Sequence, residues 1–331
     1  MKRWMICLMM VLTVTTHSQE ITEKMKREFQ KAGRDGAKAK VTFRVIDSLG
    51  NLVTNANVRI GFTQTSVAEG RTDTNGIFVA EGVCPDYASC QFTKEGYYMT
   101  EFQHRFAHYI PDVLKDGKWQ PWNPTVEVLL KEKRNPIPMY AKQVDVRLPK
   151  RNEAFGFDFK VGDLVKPHGK GEQADLLLMC TIEEREHFQD FKRELFITAV
   201  QEEEGTLVNT IDTRSQFKSD YEAQEDGYMS QYHLTVDSRA SVKRRQEREL
   251  ANMAYLTFRS RIVRDRENKI VSSNYGKIRE GTIDYGRDEK NPEGARVLFM
   301  YYFNPTPNDY NLEYDPNENL FDKKKFQGMQ P

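Results

Sequence analysis

The sequence predicts a mainly β protein with two β-sandwich domains and a short helix near the N-terminus. Apolar and polar residues alternate with a period of two in many short segments, as in half-buried strands. Clusters of Gly, Pro, Asn and Asp separate these segments at intervals typical of antiparallel β domains. The 331 residues, 38% hydrophobic and 11% aromatic, are enough to build roughly two domains of ordinary size.

The charge balance argues against polyanionic partners. The chain carries 49 basic and 49 acidic residues, so its formal net charge is zero. The basic run at 243–249 is diluted by acidic residues, as on the solvated face of a helix. We therefore expect no nucleic-acid partner.

Residues 1–18 have the features of a secretory signal peptide. Lys2 and Arg3 precede an apolar run over 4–14, and Thr16 and Ser18 supply small residues for cleavage after Ser18. The alternative is an uncleaved membrane anchor, but the run is too short to span a bilayer and ends in polar threonines. No later stretch is apolar enough to form a transmembrane segment. The sequence thus predicts an exported protein, located in the periplasm, on the cell surface or outside the cell.

An amphipathic helix is predicted over residues 19–37. Ile21, Met25 and Phe29 recur every four residues and form one narrow apolar stripe. Gly33 and Gly36 are expected to end this helix. Its stripe must dock on a neighbouring surface, most simply that of the domain that follows.

Residues 38–118 are predicted to form the smaller β-sandwich. Val41, Phe43 and Val45 alternate with polar residues, and the turn-forming segment 47–51 follows them. The Asn75-Gly76 pair lies inside 71–79 and is typical of a tight β-hairpin.

Three segments of this domain carry a family resemblance: 45–58 (VIDSLGNLVTNANV), 72–78 (TDTNGIF) and 94–98 (KEGYY). Together they resemble the carboxypeptidase regulatory-like domain, although Thr54 stands where that family usually has proline. The resemblance covers about a fifth of the chain. It implies a transthyretin-like or Cna-B-like, Ig-like sandwich acting as a structural or accessory module of bacterial surface and periplasmic proteins. It implies no catalytic residues.

A junction at 119–125 is predicted to lead into a larger antiparallel β-sandwich at 126–321, followed by a frayed tail at 322–331. Apolar, alternating segments indicate its strands, and a run from Asp237 or Ser238 to Met253 favours one helix. The segments 134–141, 301–309 and 311–316 resemble uncharacterised exported bacterial proteins. That resemblance implies no activity.

The cysteines leave one question open. Cys84 and Cys90 flank a turn-like segment, so they form either a disulfide, which an oxidising compartment permits, or two buried thiols. Cys180 lies in an apolar run and is expected to be an inert core thiol. The chain contains no CxxC pair, which argues against a cysteine zinc site.

No motif indicates catalysis. The chain lacks the G-x-S-x-G sequence of a nucleophile elbow. His104 and His108 are four residues apart but lack the glutamate of a zinc-protease helix. The stretch from Asp315 begins like a calcium loop but has Leu320 and Phe326 at its two most demanding positions. We expect no enzyme activity, no metal and no cofactor.

Two groups of residues are candidates for ligand binding. Trp119 and Trp122 form either an aromatic platform for sugar rings, together with Tyr97 and Tyr98, or, beside two prolines, a seal at the domain junction. Asp163, His168 and Lys170 belong to a glycine-containing loop, which is either a plain turn or a site for a polar ligand.

The sequence therefore predicts an exported, non-enzymatic structural or binding protein of the cell envelope or surface, whose ligand it does not identify. Its partner is expected to be a polysaccharide or another envelope protein. The alternatives are a carbohydrate-binding protein and a hydrolase whose active site is hidden in the larger domain.

Overall fold

The computed structural model describes residues 25–106, 114–184, 190–210, 214–238 and 254–321. The predicted signal peptide, His108, most of the predicted helix after Asp237 and the tail at 322–331 lie outside these ranges. The chain divides into two compact units: one runs to Lys133 and includes Arg214–Gln216, and the other comprises the rest. The predicted junction at 119–125 thus lies within the first unit, and the division falls after Lys133 instead. Within the described ranges, no helix is long and apolar enough to cross a membrane.

Helix α1 covers residues 25–35 of the described chain. Phe29 packs against the core of the first unit, and Ala32 is buried. The helix passes through Gly33 and ends at Gly36, which has a φ of +85° and donates its N–H to the Ala32 carbonyl at 2.8 Å. A glycine is favoured there because a side chain resists this left-handed conformation.

The first unit contains two β-sheets. One consists of β1 (Ala37–Ile46), β4 (Ile77–Cys84), β7 (Leu114–Lys115), β8 (Lys118–Trp119) and β9 (Thr125–Leu129). The other has the order β3-β2-β5-β6, with β2 at Asn57–Gly61, β3 at Val67–Arg71, β5 at Tyr87–Thr93 and β6 at Thr100–Arg105.

The two sheets of the first unit face each other across one core. Val41, Phe43 and Val45 of β1 are all fully buried, as the period of two predicts. The Phe43 ring lies 5.2 Å, edge to face, from the ring of Phe92 in the opposite sheet. The predicted sandwich is present, and β1 runs antiparallel to β4 but parallel to β9.

The Asn75-Gly76 turn is present, but the predicted hairpin around it is wrong. Gly76 has a φ of +67°, and the Asp73 carboxylate accepts the N–H of Asn75 at 2.8 Å. However, β4 pairs with β1 and β3 pairs with β2. The turn therefore carries the chain from one sheet to the other, because local turn chemistry sets the reversal but not the partner strand.

The second unit is a sandwich of two five-stranded sheets. The first sheet has the order β10-β19-β18-β17-β15. Its strands are β10 (Tyr140–Leu148), β19 (Asn291–Phe303), β18 (Ile270–Asp288), β17 (Ala254–Arg264) and β15 (Gly205–Thr210). The second sheet has the order β12-β11-β13-β14-β16. Its strands are β12 (Asp163–Leu164), β11 (Phe155–Asp158), β13 (Leu176–Glu184), β14 (Phe191–Thr198) and β16 (Gln231–Asp237). The pairs along both sheets are antiparallel, as predicted.

Aromatic rings fill the core of the second unit. The Phe157 ring lies 5.2 Å from that of Phe299, and the Phe159 ring stacks on Phe258 at 4.2 Å. Beside them, the Arg261 guanidinium bonds to Asp158 at 2.9 Å and to Asp175 at 2.7 Å, with both carboxylates buried. This buried ion cluster joins β11 and β17, which belong to opposite sheets.

The segments that carried the second resemblance lie side by side in this unit. Ile137 forms a bridge with Tyr314, and the buried Glu313 carboxylate accepts the backbone N–H groups of Arg134 and Asn135 at 2.9 and 2.6 Å. The coil from residue 304 to residue 321 is thus packed onto the unit.

Candidate functional site

A groove crosses the outer face of the β3-β2-β5-β6 sheet. Val58 and Ile60 of β2 point into the core, which leaves Arg59 and Gly61 facing outward. The same alternation in β5 turns Tyr87, Ser89 and Gln91 outward. These side chains help to line a cavity of about 870 Å³, here called the sheet groove.

The strand register places small residues at the centre of the sheet groove. Gly61 is opposite Ser89, and Ser89 is opposite Gln103. A Cβ atom on Gly61 would meet only the Ser89 carbonyl, at 4.0 Å. The loop after Gly61 and the turn before Tyr87 also line the cavity. The groove exists because this row of the sheet has almost no side-chain volume at its middle.

The sheet groove is lined by both apolar and polar side chains, and its charged members are Arg59, Asp86 and Glu101. Gln64, Gln91 and Gln103 supply amide groups, and Gln91 donates a hydrogen bond to the Met99 sulfur at 3.1 Å. The Tyr87 side chain is 37% exposed. Amides, a hydroxyl and an exposed aromatic ring can bind a ligand without covalent chemistry.

One charged side chain of the groove is neutralised locally. The Arg59 guanidinium forms an ion pair with Glu69 on the neighbouring strand.

Among the described residues, no group of three or more His, Cys, Asp or Glu side chains could hold a metal ion. The ring of His104 packs edge-on against Phe106 at 4.6 Å, which is a structural position.

The predicted tryptophan pair is split by the structure. Trp119 lies in β8, is only 1% exposed and donates its indole N–H to the Cys84 carbonyl at 2.9 Å. It belongs to the core of the first unit, so it is neither an exposed sugar platform nor part of a junction. Trp122 is half-buried, with the Lys118 ammonium 5.0 Å from its ring. Trp119 is buried because β8 pairs with β1, which turns the Trp119 side chain inward.

Cys84 and Cys90 are free thiols in the structure, so the disulfide considered from the sequence is not formed. Cys84 pairs with Ala37 in one sheet, whereas Cys90 pairs with Ile60 in the other. Burial raises the pKa of each thiol to about 12. Thiols so far from ionisation are poor nucleophiles and poor metal ligands.

Asp163, His168 and Lys170 do come together in the second unit. They line a cavity of about 520 Å³ between β10 and the loop that follows β12, here called the loop cleft. Asp163 is a structural member of this loop, since its carboxylate accepts the backbone N–H of Leu164 at 2.8 Å and of Lys170 at 3.0 Å. His168 and Lys170 are exposed. Trp119 and Trp122 are not part of this cleft.

The sheet groove was missed by sequence reasoning. The sequence predicts an aromatic platform around two tryptophans, whereas the exposed ring of the groove belongs to Tyr87. The alternation of Tyr87, Ser89 and Gln91 with buried residues was a signal that this strand has a polar outer face. Which strands flank it could not be inferred from that signal.

No protein-family model matches the chain, and no curated protein matches it. Among solved structures, the chain is similar to hydroxyquinol 1,2-dioxygenase from Pseudomonas putida, at 13% identity and a TM-score of 0.22 over 30% of this chain and 58% of the dioxygenase. It is also similar to a streptococcal ancillary pilin, at 11% identity and a TM-score of 0.19 over 63% and 61% of the two chains. A Bacteroides uniformis protein provisionally described as carbohydrate-binding matches at 9% identity and a TM-score of 0.19, over 80% and 96%.

The chain spans less than two thirds of the length of the dioxygenases it matches. With TM-scores this low, these similarities establish neither a family nor an activity.

Proposed function

We propose that this protein is an exported, non-enzymatic binding protein of the cell envelope or surface, and that its first unit binds a ligand in the sheet groove. The observation that carries the proposal is the open space above Gly61, where a Cβ atom would have no neighbour closer than 4.0 Å. The cavity volume of about 870 Å³ lies within the range of small-molecule and oligomer sites. The three segments that resemble the carboxypeptidase regulatory-like domain lie in this same unit and agree with an accessory role.

A neutral carbohydrate is the ligand class that the groove favours. Sugar hydroxyls both donate and accept hydrogen bonds, and the amides of Gln64 and Gln103 do the same. The exposed ring of Tyr87 offers an apolar face and a polar hydroxyl on one side chain. Arg59 is paired with Glu69, and the other two charged side chains of the lining, Asp86 and Glu101, are acidic, so the groove disfavours an anionic ligand.

Substitution of Gly61 tests the groove directly. Gly61→Trp fills the open space, and Gly61 does not have the positive φ that would strain a side chain there. We expect wild-type protein to be retained on at least one immobilised neutral polysaccharide, and Gly61→Trp to lose that retention with an unchanged melting temperature. Gly33→Trp is the matched control, because a Cβ on Gly33 has nothing within 4 Å and this residue does not line the groove.

The outcomes separate the parts of the proposal. Equal retention of wild type and Gly61→Trp would refute the groove as the binding site. If no neutral polysaccharide retained the wild type, the carbohydrate assignment would be wrong. Loss of retention by both Gly61→Trp and Gly33→Trp would indicate a nonspecific effect of the added indole.

Export rests on the first 18 residues and has its own test. Mass spectrometry of protein purified from the envelope fraction is expected to find an N-terminus near Gln19. Recovery of the chain with Met1 intact from the cytoplasm would contradict export.

A further inference from the structure

The charges that line the loop cleft are not equally available to a ligand. Asp145 is held by Arg296 through two hydrogen bonds of 2.7 and 3.0 Å. Arg147 forms an ion pair with the buried Asp288. These charged groups are already satisfied by protein partners.

The remaining acidic group of the cleft is satisfied by backbone. The Asp163 carboxylate accepts two N–H groups, those of Leu164 and Lys170. The Lys170 side chain, by contrast, is exposed, and so is the imidazole of His168. Lys142 adds a third basic group to the lining, with its ammonium 3.0 Å from the Gly162 carbonyl. The basic side chains of Lys170 and His168 are therefore exposed at the cleft, whereas the carboxylates of Asp145 and Asp163 already accept hydrogen bonds from the protein.

The loop that presents His168 and Lys170 is firmly built. A Cβ on Gly169 would lie 2.2 Å from the Leu164 carbonyl oxygen and 2.7 Å from an Asp163 carboxylate oxygen, so only glycine fits there. Val165 and Gly171 bridge the two ends of the loop. The His168 ring packs edge-on against Phe155 at 5.0 Å. Because its backbone is fixed in this way, the loop itself adds little ordering cost on binding.

We propose that the loop cleft of the second unit binds an oxyanion, a phosphate or carboxylate group, through Lys170 and His168 with Lys142 beside them. The cavity of about 520 Å³ is large enough for such a group as part of a larger molecule. Ammonium and imidazole groups are donors suited to these oxygens. The site is separate from the sheet groove, so neither proposal depends on the other.

Inorganic phosphate and polygalacturonate distinguish the two sources of the oxyanion. Phosphate is titrated into the full chain at low ionic strength while the backbone amide NMR signals of the loop are followed. Retardation in a gel containing polygalacturonate, compared with a gel containing neutral dextran, reports on carboxylate binding. We expect binding in at least one assay, weakened by added salt because partly exposed charges are screened.

Three variants make the test specific. Lys170→Gln is expected to weaken anion binding roughly fivefold, which is the upper range for an exposed ion pair. The double variant with Lys170→Gln and His168→Gln is expected to weaken anion binding about tenfold or more. Lys166→Gln is the matched control: it removes the same charge from the same loop, but Lys166 pairs with Glu172 at 3.4 Å and does not line the cleft. Its binding is expected to equal that of the wild type.

Each result decides the proposal. Binding of phosphate alone or of polygalacturonate alone, sensitive to Lys170→Gln but not to Lys166→Gln, supports the site and identifies the source. The proposal is overturned if neither probe binds at anion concentrations up to about 50 mM, because that concentration would fill even a site with a millimolar Kd. It is equally overturned if Lys166→Gln weakens binding as much as Lys170→Gln, which would show only bulk charge attraction.

Discussion

Truncation of Trp119 to alanine should destabilise the first unit strongly. The side chain is 1% exposed, and its ring contacts Phe29 of helix α1 edge-on at 6.0 Å. Removing a fully buried indole costs about 3–5 kcal/mol through lost contacts and the cavity left behind. The Cys84 carbonyl also loses the hydrogen bond from the indole N–H at 2.9 Å, and such a bond contributes about 0.5–1.5 kcal/mol.

The expected loss for Trp119→Ala is therefore about 4 kcal/mol or more, a large fraction of the ~5–15 kcal/mol that stabilises a typical domain. Urea unfolding followed by far-UV circular dichroism measures it. Trp119→Phe keeps an aromatic ring and should cost clearly less, which keeps the test usable if the alanine variant fails to fold. Trp122→Ala is the control, since that side chain is only half-buried.

Two results would refute this reasoning. One is a change of less than about 1 kcal/mol for Trp119→Ala, a value typical of surface positions rather than of a core. The other is an equal loss for Trp122→Ala. Quenching by acrylamide provides an independent check, because the Trp119 indole should be protected in the folded protein and the Trp122 indole should be more accessible.

Three further predictions concern the two units separately. Arg261→Met removes the guanidinium that pairs with two buried aspartates and should cost about 3–5 kcal/mol in urea unfolding of the second unit. A near-zero change would mean that this cluster is not structural. The hydrogen bond from Arg296 holds the pKa of Asp145 below its ordinary value. The ion pair therefore stabilises the fold fully at pH values above the ordinary pKa of an aspartate, and this stabilisation is lost as the pH falls through the lowered pKa of the folded state. Arg296→Gln should therefore make unfolding slightly less sensitive to acid below about pH 4, a small effect because both groups are well exposed, and an unchanged pH profile would contradict it. Iodoacetamide at neutral pH should leave the three described cysteines unmodified until the protein unfolds, as peptide mass spectrometry can show, and rapid labelling of native protein would contradict their burial.

The sequence by itself determined the fold class and the local turns. Alternation in segments such as Val41 to Val45 identified strands with one buried face, because the side-chain period of a strand is fixed by its backbone. The end of the helix at Gly36 and the tight turn at Gly76 were likewise predicted from the sequence, and both glycines have a positive φ in which a side chain would be strained. The three residues of the loop cleft were also identified together, because they are neighbours in one loop.

Only the tertiary structure decided which strands pair and which side chains meet across the sheets. Nothing local to Asn75-Gly76 shows that β4 pairs with β1 rather than with β3. Trp119 was interpreted from its neighbouring prolines, yet the pairing of β8 with β1 buries it. The sheet groove depends on Gly61, Ser89 and Gln103, which lie in three different strands. Strand pairing joins residues distant along the chain, and the free energy that selects one pairing comes from burying the whole apolar face of each sheet, which no short segment contains.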